Sequence, residues 1–186
     1  MARADSCVVL HVNHIEWCDE CLILFFAHSK SDQQGVNHME PWHVYSNPID
    51  PVVCPVLSFS KYILSSPILL KGDCCLFPGK SQYARFNGIL HKVLKKHQEE
   101  IMEAGFDISN IGTHSVRKGS ATLWSSGCTV SPPMASLCLR AGWSMGGVKD
   151  RYLHYEKAGD QFVGRTVTGI SSGSEEFAVS PVSLLA

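Results

Sequence analysis

The chain has 186 residues, a formal net charge of −1, 45% hydrophobic residues and 18% charged residues. This profile is typical of one soluble globular domain with a real core. The longest purely apolar run, from Cys21 to Ala27, is too short for a membrane span, which needs ~20 residues. Since no secretory signal is visible either, we expect an intracellular protein with no membrane partner.

Charge is distributed unevenly along the chain. Residues 1–50 carry two basic and seven acidic side chains, a net charge of −5, whereas residues 51–170 carry fourteen basic and eight acidic side chains, a net charge of +6. Residues 171–186 add −2. This asymmetry suggests an anionic partner for the basic part, but a merely solvated surface is the favoured interpretation until specific residues indicate otherwise.

The hydrophobic pattern predicts a mainly α-helical chain with a small antiparallel β-sheet near its start, an α+β fold. Residues 5–12 have helical spacing but look like a helix that lacks its beginning. An apolar run at residues 17–27 and a return strand at residues 43–46 form the predicted sheet, with a polar turn at residues 30–35 between them. Helices are predicted over residues 56–64, 82–104, 115–125, 131–140 and 147–155.

Residues 82–104 have the clearest helical pattern. Their apolar face comprises Phe86, Ile89, Leu90, Val93 and Leu94. A basic face carries Lys92, Lys95 and Lys96. Gly105 is the predicted stop of this helix, and Gly142 is the predicted stop of the helix over residues 131–140.

The eight cysteines of an intracellular chain are typical of free thiols rather than of a disulfide framework. One cluster, His11-x-x-His14 followed by Cys18-x-x-Cys21, has the residue types of a tetrahedral zinc site. These residues fall in a strand, a turn and a strand, whereas structural zinc sites usually combine two widely separated ligand pairs. A hairpin turn with incidental thiols is therefore the favoured interpretation over a metal site.

A His-x-x-Arg pair, His114 and Arg117, lies where a loop enters a predicted helix. Residues three apart on a helix share a face, and the backbone N–H groups of a helix N-terminus attract anions. Guanidinium is also a bidentate fork for phosphate, which lysine cannot reproduce. These residue types suit a phosphate site, but an ordinary surface pair is the favoured interpretation of the pair taken alone.

Two further features follow this pair at a defined spacing. A Gly-Trp pair ends the next predicted helix, and Tyr152 stands nine residues after its Trp143. With His114-x-x-Arg117, this order resembles the C-terminal motif of tyrosine recombinases, the phage-integrase family. That family has a His-x-x-Arg, then Gly-His or Gly-Trp, then a nucleophilic Tyr nine residues after the His or Trp. Tyr155 is the competing hydroxyl, but it stands three residues too late. The Asp-Gln-Gln-Gly, His-Val-Tyr and Asn-Pro stretch of residues 32–48 looks more like the recombinases of eukaryotic mobile elements than those of phages.

The start of the chain matches the same family more loosely. Arg3 stands where the first catalytic arginine of the family is expected. Leu10, Val12 and Ile15 fit the apolar positions that follow, while Ser6 and His14 replace acidic residues. Lys30 falls in the hairpin turn that carries the catalytic lysine of the family. The resemblance thus spans about residues 3–165, and its specificity is concentrated at the end.

The resemblance implies a role for each of these residues. The side chains that would neutralise and bind the phosphate oxygens are Arg3, Arg117, His114 and Trp143. Tyr152 would attack the phosphodiester to form a 3′-phosphotyrosyl intermediate, which stores the bond energy so that rejoining needs no ATP. Lys30 would protonate the leaving 5′ oxygen, and no cofactor or metal is required. The candidate DNA contacts are Lys92, Lys95, Lys96 and Lys118, and for the first three a solvated helix face is the more common interpretation.

The resemblance also implies the catalytic-domain fold of this family over residues 1–170, while the composition of residues 171–186 predicts a flexible tail. The resemblance further implies double-stranded DNA as the partner, a homotetramer assembled on it, and no small-molecule substrate. Family enzymes carry an N-terminal helical domain that precedes the first arginine, so we expect an N-terminally truncated catalytic domain. Three functions stay open: recombination or integration of a mobile element, an inactive recombinase fold that at most binds DNA, and relaxation of supercoils as in type IB topoisomerases. A eukaryotic element would place the protein in the nucleus.

Overall fold

The computed structural model describes residues 4–18, 20–26, 41–126, 131–146, 157–170 and 173. The helices among them are α1 (Ala4–Val8), α2 (Pro55–Ser65), α3 (Gln82–Lys96), α4 (Gln98–Glu103), α5 (Thr113–Ser126), α6 (Met134–Ala141) and α7 (Lys157–Val167). The strands are β1 (Ile15–Cys18), β2 (Cys21–Leu24) and β3 (Trp42–Tyr45). Short 3-10 turns occur at Val12–His14, Pro67–Lys71 and Ile108–Asn110. The prediction of a mainly helical chain with a small antiparallel sheet is confirmed.

The strands form one antiparallel sheet in the order β1-β2-β3. Cys18 pairs directly with Cys21, so the chain reverses within two residues and the predicted strand over residues 17–27 is split in two. The polar pair at residues 19–20 interrupts the apolar pattern at that point. On the inner side of the sheet, Cys21, His43 and Tyr45 are buried. The return strand predicted at residues 43–46 is confirmed as β3.

The main core lies between the sheet and α7, a helix that was not predicted from the sequence. One buried cluster comprises Cys21, Tyr45 and Ile170, with Ile23 and Phe162 packed against it. On the other side of α7, the fully buried Val163 packs on Leu137 of α6. The helix therefore joins the sheet to α6, and its apolar side chains face both.

Gly164 allows α7 to lie unusually close to β3. A Cβ atom at this position would collide with the carbonyl oxygen of His43 and would come within 3.2 Å of the Tyr45 ring. Any larger residue would therefore push the helix away from the strand, because real Cβ atoms do not approach a backbone oxygen this closely.

A buried ion pair ties the same three elements together. Arg140 of α6 donates from Nη1 to the Asp160 carboxylate of α7 at 2.6 Å and from Nη2 to the carbonyl oxygen of His43 at 2.9 Å. The other Asp160 oxygen accepts from the backbone N–H of His43 at 2.8 Å and lies 2.7 Å from its Nδ1. All three residues are at most 6% exposed. Such a network offsets much of the cost of burying these charges. Among the described residues, Nε of Arg140 and Nε2 of His43 are buried without a hydrogen-bond partner.

A second buried arginine, Arg165 of α7, also packs on the core. Its guanidinium carbon lies 3.9 Å from the centre of the Tyr45 ring, and the residue is buried. Burial raises the pKa of the Tyr45 phenol, and the nearby positive charge of Arg165 opposes only part of that rise. Tyr45 therefore acts as a neutral, partly apolar platform for the cation.

The helix predicted over residues 82–104 is interrupted. α3 ends at Lys96, His97 has a non-helical conformation (φ −108°, ψ 26°), and α4 begins at Gln98. The predicted apolar face is also largely exposed, at Phe86, Ile89 and Val93. Among the elements that the structure describes, the main neighbours of α3 are the short α1 and α4, which offer too little surface to cover it.

The remaining predictions vary in outcome. α2 confirms the helix over residues 56–64, and Gly105 and Gly142 take the positive φ values expected after helix ends. The helix over residues 131–140 begins later, at Met134, with Pro133 rather than a serine at its N-cap. The predicted turn at residues 30–35, the helix over residues 147–155 and nearly all of the predicted tail lie outside the described residues. A search of the described helices finds none with the length and apolarity needed to cross a membrane.

Candidate functional site

Side-chain hydrogen bonds fix the start of α5. The Ser115 hydroxyl accepts from the backbone N–H of Gly112 at 3.0 Å and donates to the carbonyl of Asn110 at 3.3 Å. The hydroxyl groups of Thr113 and Tyr83 lie 3.1 Å apart, which links the first turn of α5 to the first turn of α3. These bonds hold the helix N-terminus in place, where His114 is the second residue.

One face of α5 lines a cavity of about 340 Å³. The lining comprises His114, Arg117, Lys118, Ala121, Thr122 and Ser125 of α5, Met134 and Leu137 of α6, and Trp143. The α5 residues recur every three or four positions, as expected for one side of a helix. The cavity is thus a groove between two helices, with Trp143 as part of its lining.

Arg117 and Trp143 are in direct contact across this groove. The guanidinium carbon of Arg117 lies 5.6 Å from the centre of the Trp143 ring, a cation–π distance. Nη2 of Arg117 also donates a hydrogen bond to the carbonyl of Ala141, at the end of α6. The guanidinium is therefore oriented by two neighbours, and Arg117 is half-buried.

Trp143 owes its position to the way α6 ends. Gly142 adopts a left-handed conformation (φ 63°, ψ 37°), which reverses the chain direction. The backbone N–H of Gly142 donates to the carbonyl of Leu139 at 3.0 Å, and that of Trp143 donates to Cys138 at 2.9 Å. These two hydrogen bonds form a Schellman motif, which directs the chain at Trp143 back towards α5.

The groove favours anions. Among the lining residues that the structure describes, Arg117 and Lys118 are cationic, His114 can become so, and none is acidic. His114 lies in the first turn of α5 and Arg117 one turn later, near the helix N-terminus, where the helix dipole also favours negative charge. The hydroxyl groups of Thr122 and Ser125 donate to carbonyls of their own helix. Much of the remaining wall is apolar, so the cations lie beside an apolar surface.

The structure brings together four of the predicted site residues: His114, Arg117, Trp143 and Lys118. The other predicted DNA contacts, Lys92, Lys95 and Lys96, are exposed on α3 and are not part of the lining. Lys92 lies nine residues beyond Tyr83, about 14 Å along the helix axis. Arg3, Lys30 and Tyr152 lie outside the described residues.

Sequence reasoning missed Thr122, Ser125 and Met134, which also line the groove. The helical period could have identified the first two. Thr122 lies four residues after Lys118, and Ser125 lies eight residues after Arg117, so both share the face of the predicted pair. Met134 belongs to the opposite helix, and no local pattern links it to α5.

The alternative zinc site is not assembled in the described part of the chain, which includes His11, His14, Cys18 and Cys21. No three histidine, cysteine or acidic side chains there have an arrangement that could hold a metal ion. Cys18 and Cys21 instead flank the tight turn of the β1–β2 hairpin, where the Cys21 thiol donates to the Cys18 carbonyl.

No model of a known protein family matches this sequence. Comparisons with curated proteins and with solved structures find no match either.

Proposed function

We propose that this chain cleaves and rejoins DNA strands through a 3′-phosphotyrosyl intermediate, in site-specific recombination or integration of a mobile element. The observation that carries the proposal is the single groove that His114, Arg117 and Trp143 share, although Trp143 belongs to a different element. A resemblance based only on spacing does not require these side chains to meet, so their meeting supports a common role.

The groove has the chemistry that such a reaction needs. When a phenol attacks a phosphodiester, negative charge accumulates on the non-bridging oxygens, and fixed cations and N–H donors lower the barrier. Arg117 supplies a planar guanidinium whose orientation is set by Ala141 and Trp143. His114 lies one turn earlier on the same face and can donate a further hydrogen bond to the same phosphate.

Tyr152 is the proposed nucleophile. It stands nine residues after Trp143, in the part of the chain that connects α6 to α7. The ion pair between Arg140 and Asp160 fixes these two helices to each other. The two helices that flank the connecting segment are therefore fixed relative to each other.

The proposal is tested by covalent capture. A library of fluorescently labelled, nicked suicide duplexes of random sequence is incubated with the protein, because the DNA site is unknown. We expect a denaturant-resistant protein–DNA adduct that is absent in Tyr152→Phe and retained in Tyr155→Phe, the matched control. An adduct lost in Tyr155→Phe but kept in Tyr152→Phe would contradict the assignment.

A different result would favour the non-catalytic alternative. If the folded wild-type protein binds the same duplexes but forms no adduct, the chain is a DNA-binding recombinase fold without activity. Supercoiled plasmid distinguishes the remaining alternative, since a topoisomerase-like enzyme relaxes it without exchanging strands between duplexes. In that case Tyr152 would still be required, but no recombinant product would appear.

A further inference from the structure

A second cluster of reactive side chains lies outside the groove, where the segment after α1 meets the chain before Leu76. His11 has a thiol beside one ring nitrogen and a carboxylate beside the other. Its Nε2 lies 3.6 Å from the Cys75 sulfur, and its Nδ1 lies 3.2 Å from a carboxylate oxygen of Asp73. Cys75 is exposed, and His11 and Asp73 are also accessible to solvent.

Backbone pairing accounts for this arrangement. His11 and Cys75 form an isolated antiparallel bridge. The flanking hydrogen bonds run from Val12 N–H to the Cys74 carbonyl at 3.0 Å and from Leu76 N–H to the Leu10 carbonyl at 2.7 Å. His11 and Cys75 are thus a non-hydrogen-bonded pair, the type in which side chains approach most closely. Asp73, two residues before Cys75, reaches the same imidazole.

The hydrogen-bond donors and acceptors of the cluster define the direction in which a proton can move. Because a carboxylate only accepts, the hydrogen bond requires a proton on Nδ1 of His11, and this N–H donates a hydrogen bond to Asp73. Nε2 is then the acceptor, and the donor beside it is the Cys75 thiol. Asp73 would also stabilise the imidazolium that forms when His11 takes that proton. A nucleophile, a base and a group that orients the base define an activated nucleophile.

We propose that Cys75 is an oxidation-sensitive nucleophile, activated by His11 and Asp73, and that its reaction partner is a hydroperoxide. The thiol gives its proton to Nε2 of His11, and the sulfur attacks one oxygen of hydrogen peroxide. The S–O bond forms as the O–O bond breaks, and the leaving hydroxide takes the proton back from His11. The products are a sulfenic acid on Cys75 and water, with sulfur oxidised by two electrons and peroxide reduced.

The adjacent Cys74 provides an internal comparison. Its sulfur lies 3.9 Å from the carbonyl oxygen of Ile68, an acceptor that cannot remove a proton. Both thiols fall in one tryptic peptide, Gly72–Lys80, so the Cys74→Ser and Cys75→Ser variants report on each thiol separately. The protein is treated with hydrogen peroxide in the presence of dimedone, and the labelled peptide is followed over time by mass spectrometry.

We expect Cys75 in the Cys74→Ser variant to be labelled about tenfold faster, or more, than Cys74 in Cys75→Ser, because a positioned base accelerates proton removal. Adding His11→Gln should remove most of that difference, whereas His91→Gln, an exposed histidine on α3, should leave it unchanged. Equal labelling rates for the two thiols, or a Cys75 rate that does not respond to His11→Gln, would overturn the proposal.

The exposed Asp73 provides a second, structurally mild variant. Asp73→Asn keeps the shape of the side chain but removes the charge that stabilises the imidazolium, so a severalfold slower reaction at Cys75 is expected. Circular dichroism checks that each variant is folded. If His11→Gln fails to fold, the Asp73→Asn result decides, and an unchanged Cys75 rate there would equally refute the activation of the thiol.

Discussion

Arg117 and Trp143 hold each other in place, with the guanidinium carbon 5.6 Å from the centre of the indole ring. The same guanidinium donates a hydrogen bond to the carbonyl of Ala141, two residues before the tryptophan. The end of α6 therefore orients the cation of α5. This contact joins the two parts of the predicted motif, and it makes the geometry of a guanidinium, rather than its charge alone, important for the site.

Replacement of Arg117 by lysine should reduce the rate of covalent adduct formation by about 10²–10³-fold. An ammonium group lacks the planar shape that Trp143 and Ala141 orient, and it cannot bind two phosphate oxygens as a guanidinium does. Single-turnover adduct formation on a captured suicide duplex measures this rate. Arg85→Lys on the exposed face of α3 is the matched control and should have the wild-type rate. A fully active Arg117→Lys protein would mean that Arg117 does not contact the scissile phosphate.

Variants of Trp143 separate its ring from its N–H group. Trp143→Phe keeps an aromatic platform for Arg117 but loses the donor, so we expect about tenfold slower adduct formation with little change in stability. Trp143→His restores a ring N–H and should recover most of the rate. The rates come from the same single-turnover assay, and thermal unfolding checks stability. If Phe and His variants have equal rates, the indole N–H has no role in the reaction.

Lys118 differs from the lysines of α3 because it lies in the groove beside Arg117. Lys118→Ala should weaken DNA binding at low salt and reduce the slope of log affinity against log salt by about one, the loss of one phosphate contact. Fluorescence anisotropy with a labelled duplex at several salt concentrations measures both. Lys61→Ala, an exposed lysine on α2, serves as the control, and an equal effect of the two substitutions would indicate only general electrostatics.

The elements that could be predicted are those whose structure is determined by the local sequence. α2 and the ends of α3–α4 and α6 follow from periodicity, proline and glycine, and these features are local. α7 was missed because its sequence has two glycines, which are weak helix formers. It is helical because Gly164 and Asp160 each meet a particular partner on another element, and such partners are invisible in a single sequence.

The residues of the site also divide into those that local sequence predicts and those that depend on distant parts of the chain. His114 and Arg117 lie one turn apart on a single helix, so their common direction could be predicted. The contact of Trp143 with Arg117 could not be predicted in this way, because it depends on Gly142 reversing the chain after α6. By contrast, the partners of Arg140 are His43 and Asp160, which are 97 and 20 residues away, and no pattern in the sequence connects them.

Asp160→Asn should destabilise the protein by about 3–5 kcal/mol, because it leaves the buried guanidinium of Arg140 without its counter-charge. Urea unfolding followed by circular dichroism measures the loss. Asp107→Asn is the matched control, since Asp107 is exposed and bonds only locally to Ser109 in the contacts described here. Similar stability of Asp160→Asn and the wild type would show that the ion pair contributes little beyond what a neutral hydrogen bond provides.

Gly164 offers a test of how closely α7 packs on β3. Gly164→Ala normally favours a helix by about 1 kcal/mol, but here the added methyl group would collide with the His43 carbonyl and crowd the Tyr45 ring. The collision should dominate, so we expect a net loss of about 1–3 kcal/mol in urea unfolding. Gly88→Ala in α3 is the matched control, because a Cβ there meets no atom within 4 Å. That substitution should stabilise the protein slightly, and a stabilising Gly164→Ala would show that α7 lies farther from the strand than the structure places it.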